Sequence, residues 1–493
     1  MDSCSAYRNC PLLRFLFLSP PYRKNGPKVR PIEFSRRIYS ICCRNRPGPP
    51  NPKKFGTIQV TINYSSVLVQ VILHLANGLA LFPIYLHHIT QSNLHFSKAR
   101  RVEEVVNLTF LKSWLKRCSE SDHHQNCQPD IWIERPKVQF RLVDVKRRCV
   151  TNASPWFKYA ALSYVWGNAK RLQLESGTYE RLTAPGGLSN DHRDIPKLFL
   201  DAMLLVEFLD LDYIWIDALC IKQDEDMTYD LYAMDSIYSC ATLTIVNNTK
   251  DANTGLPGFL PQSRSVDQII YESGDIALVN ARHTISDALI NSSWESRGWT
   301  LQESYFSKRL LIFTESQVFY HCNVAIWFED TIMECDDPAD ISFPELDMPG
   351  QPNPFMKVSS RSTPVSTLER FQKLLRNYVR RDLSYQADVL KAFSGILNSV
   401  SSELREDIWG LPSLEFSNMM LWAYDAHNPQ QRIWDFPSWS WAGWKTGRGK
   451  NILLDTLGQD KSEILRFRYR LDEHNRWSLV GIPIYGRHRA ECF

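Results

Sequence analysis

An aromatic ring and a carboxylate lie four residues apart in the segment that starts at Ser296. In a helix, Trp299 and Glu303 would share one face, because residues four apart are neighbours on the helical surface. The ring can stack on a planar base, and the carboxylate can stabilise positive charge that develops on an adjacent sugar. Arg297 adds a cation able to hold a phosphate group. The pattern predicts a site that cleaves a glycosidic bond, with Glu303 as its catalytic residue.

Ser163, Tyr164, Trp166 and Asp217 follow or interrupt short apolar runs that we predict to be strands. Such positions matter because the carboxyl ends of parallel strands meet at one edge of a sheet, where ligands bind. Together with Arg297 and Trp299, these four residues are the candidate substrate-binding residues.

Each candidate also has a purely structural interpretation. Tryptophans are more often core anchors than ligand platforms, and we expect this of Trp439 and Trp441. Asp217, inside an apolar run, needs a partner, and Arg297 and Arg309 are the bases that we expect to pair with it. For Glu303 the alternative is an exposed helix residue or a capping group.

Cys118, His123, His124 and Cys127 lie close together in the sequence. Thiolates and imidazoles bind zinc, but one such group without a second Cys or His pair is an incomplete ligand set. We therefore predict no metal site. The 12 cysteines form no CxxC pair, which favours reduced thiols and a cytoplasmic protein.

The elements that must position the candidates alternate along the chain. Apolar runs rich in β-branched and aromatic residues predict strands at 140–145, 159–167, 213–221 and 241–246, and two more around a turn within 309–322. Apolar residues at helical spacing predict helices at 195–209, 227–240 and 295–306. Asp194 is the predicted N-cap of the first helix. This order predicts an α/β fold with a parallel sheet flanked by helices.

Composition shifts divide the chain into four predicted regions. Residues 1–101 are a basic, partly disordered arm, and 102–343 are the domain core. A proline-rich linker occupies 344–364. Residues 365–493 form an extension that is helical at 368–400 and tryptophan-rich and strand-like from Trp434.

The arm contains an apolar segment at 67–86, which has about the length that spans a bilayer. Because it carries Gln70, His74, Asn77 and Pro83, we interpret it as a buried or amphipathic helix and expect no membrane partner. A membrane span is the alternative.

Charge and motifs exclude two functional classes. The net charge of +3 gives no strong field for nucleic acid, so we predict no nucleic-acid partner. The sequence has neither a GxxxxGK[ST] loop nor a GxGxxG turn, which argues against a nucleotide-driven switch within this chain.

Four blocks follow one another in the middle and C-terminal parts: YAALSYVWG from Tyr159, YIWIDALCIKQDED from Tyr213, SRGWTLQESYFSKRLLIF from Ser296 and FPSWSWAGW from Phe436. Together they resemble the motifs of the heterokaryon incompatibility (HET) domain family of filamentous fungi. The resemblance, with weaker blocks, extends from Trp114 to Trp444. It implies a role in non-self recognition between fusing cells and in programmed cell death.

The HET family is in turn distantly similar to the Toll/interleukin receptor (TIR) fold, some members of which cleave NAD. ALSY at Ala161 falls where a TIR first strand has Ser-Tyr, and Trp299 to Glu303 is similar to the TIR pattern Trp-Cys-x-x-Glu, with Thr300 in place of the cysteine. The resemblance implies a flavodoxin-like topology, no bound cofactor, NAD as a substrate and Glu303 as the catalytic glutamate.

Two functions from different classes remain open. The first is a death effector with NAD glycohydrolase-like chemistry. The second is a non-enzymatic module that oligomerises and signals by binding. Both imply self-association in the active state and an unknown recognition partner protein.

Overall fold

A computed structural model describes most of residues 98–334 and 366–454. The gaps are 132–138, 155, 265–267, 269, 274–275, 281–284, 291, 333, 421, 425–430 and 448–451, and short strands are described outside these limits. The linker predicted at 344–364 lies outside the described residues.

The strands are numbered in chain order. They are β1 Ile58–Ile62, β2 Val69–Leu75, β3 Gly78–Leu79, β4 Ile84–His88, β5 Lys98–Ala99, β6 Arg141–Asp144, β7 Cys149–Asn152, β8 Tyr159–Ser163, β9 Tyr213–Trp215, β10 Leu243–Asn247, β11 Ile270–Ser273, β12 Ile276–Asn280, β13 Arg309–Phe313, β14 Val318–Cys322, β15 Ile326–Phe328, β16 Thr331–Ile332, β17 Asp407–Ile408, β18 Leu411–Pro412, β19 Trp422–Tyr424, β20 Ile452–Leu454, β21 Arg468–Leu471 and β22 Trp477–Val480.

The α-helices are likewise numbered in chain order. They are α1 Leu108–Glu120, α2 Tyr179–Thr183, α3 Lys197–Phe208, α4 Asp217–Cys220, α5 Thr228–Tyr232, α6 Met234–Cys240, α7 Ile285–Leu289, α8 Trp299–Phe306, α9 Thr367–Tyr378, α10 Ser394–Leu404 and α11 Phe416–Met419. A 3-10 turn, Asp122–Cys127, follows α1.

Four parallel strands, in the order β9-β8-β10-β13, form the centre of the main sheet. Strands β6 and β7 extend one side in antiparallel pairing, and β14, β15 and β16 extend the other. The predicted α/β class is confirmed, whereas the sheet is mixed and not purely parallel. The hairpins β6–β7, β13–β14 and β14–β15 are antiparallel because their short turns leave no length for a crossover helix, whereas β6 pairs antiparallel with β9 across a long stretch of chain.

Both faces of the parallel strands are buried, as their continuous apolar sequences require. Side chains alternate between faces: Leu311 and Phe313 enter the core that contains α3 and α6, whereas Leu310 and Ile312 pack with Trp294 on the other face. A third core, built from α9, α10 and the tryptophan-rich block, includes Leu301 of α8. Helix α8 therefore lies between the sheet and the C-terminal helices.

Two local predictions near the sheet are wrong. The run 213–221 is a strand only to Trp215, and α4 begins at Asp217, whose carboxylate accepts a hydrogen bond from the Ala218 N–H at 2.7 Å. Asp194 does not cap α3, which begins after Pro196, because the Asp194 carboxylate pairs with Arg181 at 2.7 Å. In both cases a local polar contact outweighs the apolar pattern.

The apolar segment 67–86 contains strands β2 and β3 and the start of β4, where the sequence predicts a helix. The β-branched Val69, Val71 and Ile72 favour an extended backbone, and Pro83 would interrupt a helix. No helix in the described part of the chain is long and apolar enough to cross a membrane.

The other predicted elements agree with the structure more closely. The helix at 227–240 is divided into α5 and α6 at Ala233, and the helical region 368–400 comprises α9 and most of α10 with short 3-10 turns between them. From Trp434 to Trp444 the chain folds mainly as turns, with a 3-10 turn at Trp441–Gly443, so the strand prediction is wrong there. Farther along the tail the prediction is confirmed at β20, β21 and β22.

Candidate functional site

Glu303 lies under the carboxyl end of β8 and is only 4% exposed. The Ser163 hydroxyl, at the last position of β8, donates a hydrogen bond to the Glu303 carboxylate. The Trp294 indole N–H donates to the same serine oxygen at 2.7 Å. Trp294 therefore positions the Ser163 hydroxyl, which in turn contacts the carboxylate.

The protonation of Glu303 depends on its surroundings. Burial raises the pKa of this carboxyl group, and the positive charge of Arg297 and the hydrogen bond from Ser163 oppose the rise without cancelling it. A carboxyl group with a raised pKa can hold or release a proton closer to neutral pH than an exposed glutamate can.

Tyr164 and Asp217 form a second contact beside this pair. The buried Tyr164 hydroxyl donates to Asp217 Oδ1 at 2.8 Å, and burial together with the Asp217 charge raises the pKa of the phenol well above its usual value. The partner predicted for Asp217 was an arginine, but no ion pair joins Asp217 to Arg297 or Arg309 among the described residues. A tyrosine hydroxyl supplies the hydrogen bond in their place.

Arg297 and Arg309 lie near opposite ends of the parallel strands. The Arg297 guanidinium donates to the backbone carbonyl of Tyr164, so it stays near the carboxyl end of β8. Arg309 opens β13 and donates to the Thr242 carbonyl at 3.1 Å, at the amino end of the parallel strands. Only Arg297 is therefore placed near Glu303.

The two candidate tryptophans are parts of packed clusters. Trp299 is half-buried and packs against both the sheet core and the C-terminal core. Trp166 is half-buried and contacts Tyr164 and Phe199 edge to face, with ring centroids 5.4 and 5.6 Å apart. Both rings therefore contribute to packing, and Trp166 borders the Tyr164–Asp217 pair.

Two residues of the site were missed by sequence reasoning. Trp294 reaches Ser163, and Arg381, which is 1% exposed, donates to the Thr300 hydroxyl at 2.9 Å and pairs with Glu295 at 3.3 Å. Arg381 lies on the C-terminal side of the predicted linker, and no spacing pattern in the sequence connects it with α8. Trp294 lies two residues before the block that starts at Ser296, and this proximity is the one signal in the sequence that could have identified it.

The structure thus brings Ser163, Tyr164, Asp217, Arg297 and Glu303 together at one edge of the sheet. The arrangement offers one carboxyl group with a raised pKa, one arginine and two hydroxyls. These groups can stabilise a cationic centre and neutralise an anion.

The family model described as Heterokaryon incompatibility protein (HET) matches residues 159–303. The match begins at the first residue of β8 and ends at Glu303, so it contains the parallel strands β8, β9 and β10 and every residue of this edge named in the preceding paragraph. No curated protein and no solved structure matches the chain.

Proposed function

Residues 159–303 form a HET domain, and we propose that the chain acts in fungal non-self recognition and triggers programmed cell death by cleaving NAD. The observation that carries the catalytic part is the buried contact between Ser163 and Glu303 at the carboxyl edge of the parallel sheet.

The strand order supports a TIR-like interpretation of this domain. In chain order, the four parallel strands are arranged second, first, third and fourth, as in flavodoxin-like sheets. Such sheets bind ligands where the strand order reverses, outside the carboxyl ends of the first and third strands. These are β8 and β10, and Ser163 is the last residue of β8.

The reaction assigns a different task to each residue. Hydrolysis breaks the bond between the ribose carbon and the nicotinamide nitrogen. The electron pair of that bond leaves with the nicotinamide, which becomes neutral. Water supplies the hydroxyl to the ribose carbon and releases a proton. The Glu303 carboxylate stabilises the positive charge on the ribose, and Arg297 balances a phosphate. Ser163 and Trp294 fix the position of the carboxylate.

A non-enzymatic module is the second candidate, and the packing of α8 favours it. Glu303 is buried in the resting chain, and Leu301 and Thr300 of the same helix contact the C-terminal core and Arg381. An oligomer that signals by binding would need this helix only as a support. In both candidates the active form self-associates and recognises an unknown partner protein in the cytoplasm.

Purified full-length protein incubated with NAD at high protein concentration separates the two candidates. We expect nicotinamide release from wild type and none from Glu303→Gln, because the amide keeps the side-chain shape but removes the negative charge. The exposed Trp434→Ala variant is the matched control and should turn over NAD like wild type. Turnover absent from wild-type oligomers that still kill cells would favour the binding module.

A further inference from the structure

We propose that Cys118, His124, Cys127 and Cys322 bind one structural zinc ion. Each of these four buried residues offers one ligand atom, and the four ligand atoms all lie within 4.8 Å of one another. The His124 Nδ1 atom is 3.4 Å from the sulfur of Cys322 and 3.7 Å from the sulfur of Cys127.

The two nitrogen–sulfur distances match those of a tetrahedral site. With zinc–sulfur bonds of about 2.3 Å and zinc–nitrogen bonds of about 2.0–2.1 Å, tetrahedral angles place nitrogen and sulfur about 3.6 Å apart. The two measured distances lie on either side of this value. Three cysteines and one histidine are an established ligand set for structural zinc.

The ligands come from three elements that the fold brings together. Cys118 lies in the last turns of α1, His124 and Cys127 lie in the 3-10 turn after it, and Cys322 is the last residue of β14. The neighbouring His123 is exposed and is not part of the cluster. Cys118, His124 and Cys127 alone form an incomplete ligand set, so no metal site was predicted from the sequence. Cys322 supplies the fourth ligand from 198 residues beyond His124.

Two of the three sulfur atoms accept hydrogen bonds from groups outside the cluster. The Arg309 Nε–H donates to Cys118 Sγ at 3.3 Å, and the Ala325 backbone N–H donates to Cys322 Sγ at 3.2 Å. Donors of this kind, which contact the ligand atoms and not the metal, orient and stabilise zinc ligands. Three thiolates and one Zn²⁺ carry a net charge of −1, which the buried Arg309 guanidinium balances.

Four protein ligands leave no open position, so the ion would be structural and not catalytic. Thiolate and imidazole donors in a tetrahedral arrangement favour Zn²⁺ over the oxygen-seeking Mg²⁺ and Ca²⁺. The ion would fasten α1 and its turn, which precede the HET match, to β14, which follows it.

Metal analysis of the reduced full-length protein, purified without chelator from zinc-supplemented cells, tests the proposal. We expect one zinc per chain, released when the thiols are titrated with a mercurial. Cobalt added to the zinc-free protein should give the absorption of a tetrahedral thiolate complex. A folded wild-type protein that holds no stoichiometric zinc and gives no such cobalt spectrum would overturn the site.

Variants locate the ligands. Cys322→Ser and His124→Ala should lose the zinc, whereas His123→Ala and Cys149→Ser, which alter an exposed histidine and a buried free thiol outside the cluster, should each retain one zinc per chain. If a ligand variant does not fold, the cobalt spectrum of wild type still decides. Zinc that persists in soluble Cys322→Ser and His124→Ala would contradict this ligand set.

Discussion

The carboxyl edge and the amino edge of the parallel sheet, where its strands end and begin, carry buried polar clusters of different chemistry. At the carboxyl edge, Glu303 and Ser163 contact each other through a hydrogen bond, and Tyr164 and Asp217 do the same at 2.8 Å. At the amino edge, Cys322 pairs with Arg309 across β14 and β13, so the cysteine cluster lies at the opposite end of the strands.

The difference shows how a fold can satisfy buried titratable groups. At the carboxyl edge, the Glu303 and Asp217 carboxylates accept hydrogen bonds from Ser163 and Tyr164, which limits the cost of burying these groups. Thiols are weak donors and acceptors, so hydrogen bonds among them recover little. A bound cation would stabilise the amino edge far more, whereas the carboxyl edge is stable without one.

The largest loss of stability should come from Arg309→Met at the amino edge. If the cysteine cluster holds zinc, removing the guanidinium leaves a buried anionic centre, and we expect a loss of about 3–5 kcal/mol of unfolding free energy. Zinc affinity should fall by about 10–100-fold. Urea denaturation and competition with a chelator measure the two effects.

Arg381→Met is the matched control at the other edge. Arg381 is as buried as Arg309, at 1% exposed, but it pairs with Glu295 and contacts Thr300. Its loss should destabilise the chain without changing its zinc content. Equal zinc loss in both variants would mean that zinc binding depends on the overall stability of the fold and that Arg309 has no direct role in it.

A loss of stability of intermediate size is expected from Asp217→Ala. The substitution removes the acceptor of the buried Tyr164 hydroxyl, and an unsatisfied buried hydroxyl costs about 1–3 kcal/mol. Thermal denaturation at constant pH measures it. An unchanged Tm with loss of cell killing would instead make Asp217 a residue of the active site with no structural role.

The smallest effect on stability, and the one with a pH signature, should come from Glu303→Gln. Burial raises the pKa of Glu303 above its ordinary value of 4.5. A carboxyl group of this kind stabilises the folded state below its unfolded pKa, and this contribution is lost as the pH rises to the folded pKa. The Gln variant should therefore gain stability relative to wild type as the pH rises above 4.5.

Urea denaturation of both proteins across this pH range tests the prediction. A constant difference in unfolding free energy would mean that Glu303 titrates normally.

The central strands could be predicted because buried strands leave a local signal. Continuous apolar runs at β8, β10 and β13 identify strands without reference to the rest of the chain. The end of β9 could not be predicted in this way, because the apolar pattern continues through 213–221 while Asp217 starts a helical turn, where its carboxylate accepts a hydrogen bond from the Ala218 N–H.

The sequence named those residues of the carboxyl edge that a local pattern marks, and it missed residues that reach their neighbours through tertiary contacts alone. Glu303 and Arg297 share a segment with Trp299, and Ser163 follows from the strand pattern. Trp299 packs against two cores because α8 lies between them, an arrangement that only the tertiary structure shows. Cys322 and Arg381 reach their clusters through long-range contacts, for which a single sequence contains no spacing signal.

The most direct test of the proposed function is expression in a filamentous fungal host, with cell viability and cellular NAD followed together. Wild type and Trp434→Ala should kill the cells and deplete NAD, whereas Glu303→Gln at equal protein level should do neither. A folded Glu303→Gln protein that kills as fast as wild type would contradict catalysis by Glu303 and favour a HET domain that signals by binding alone.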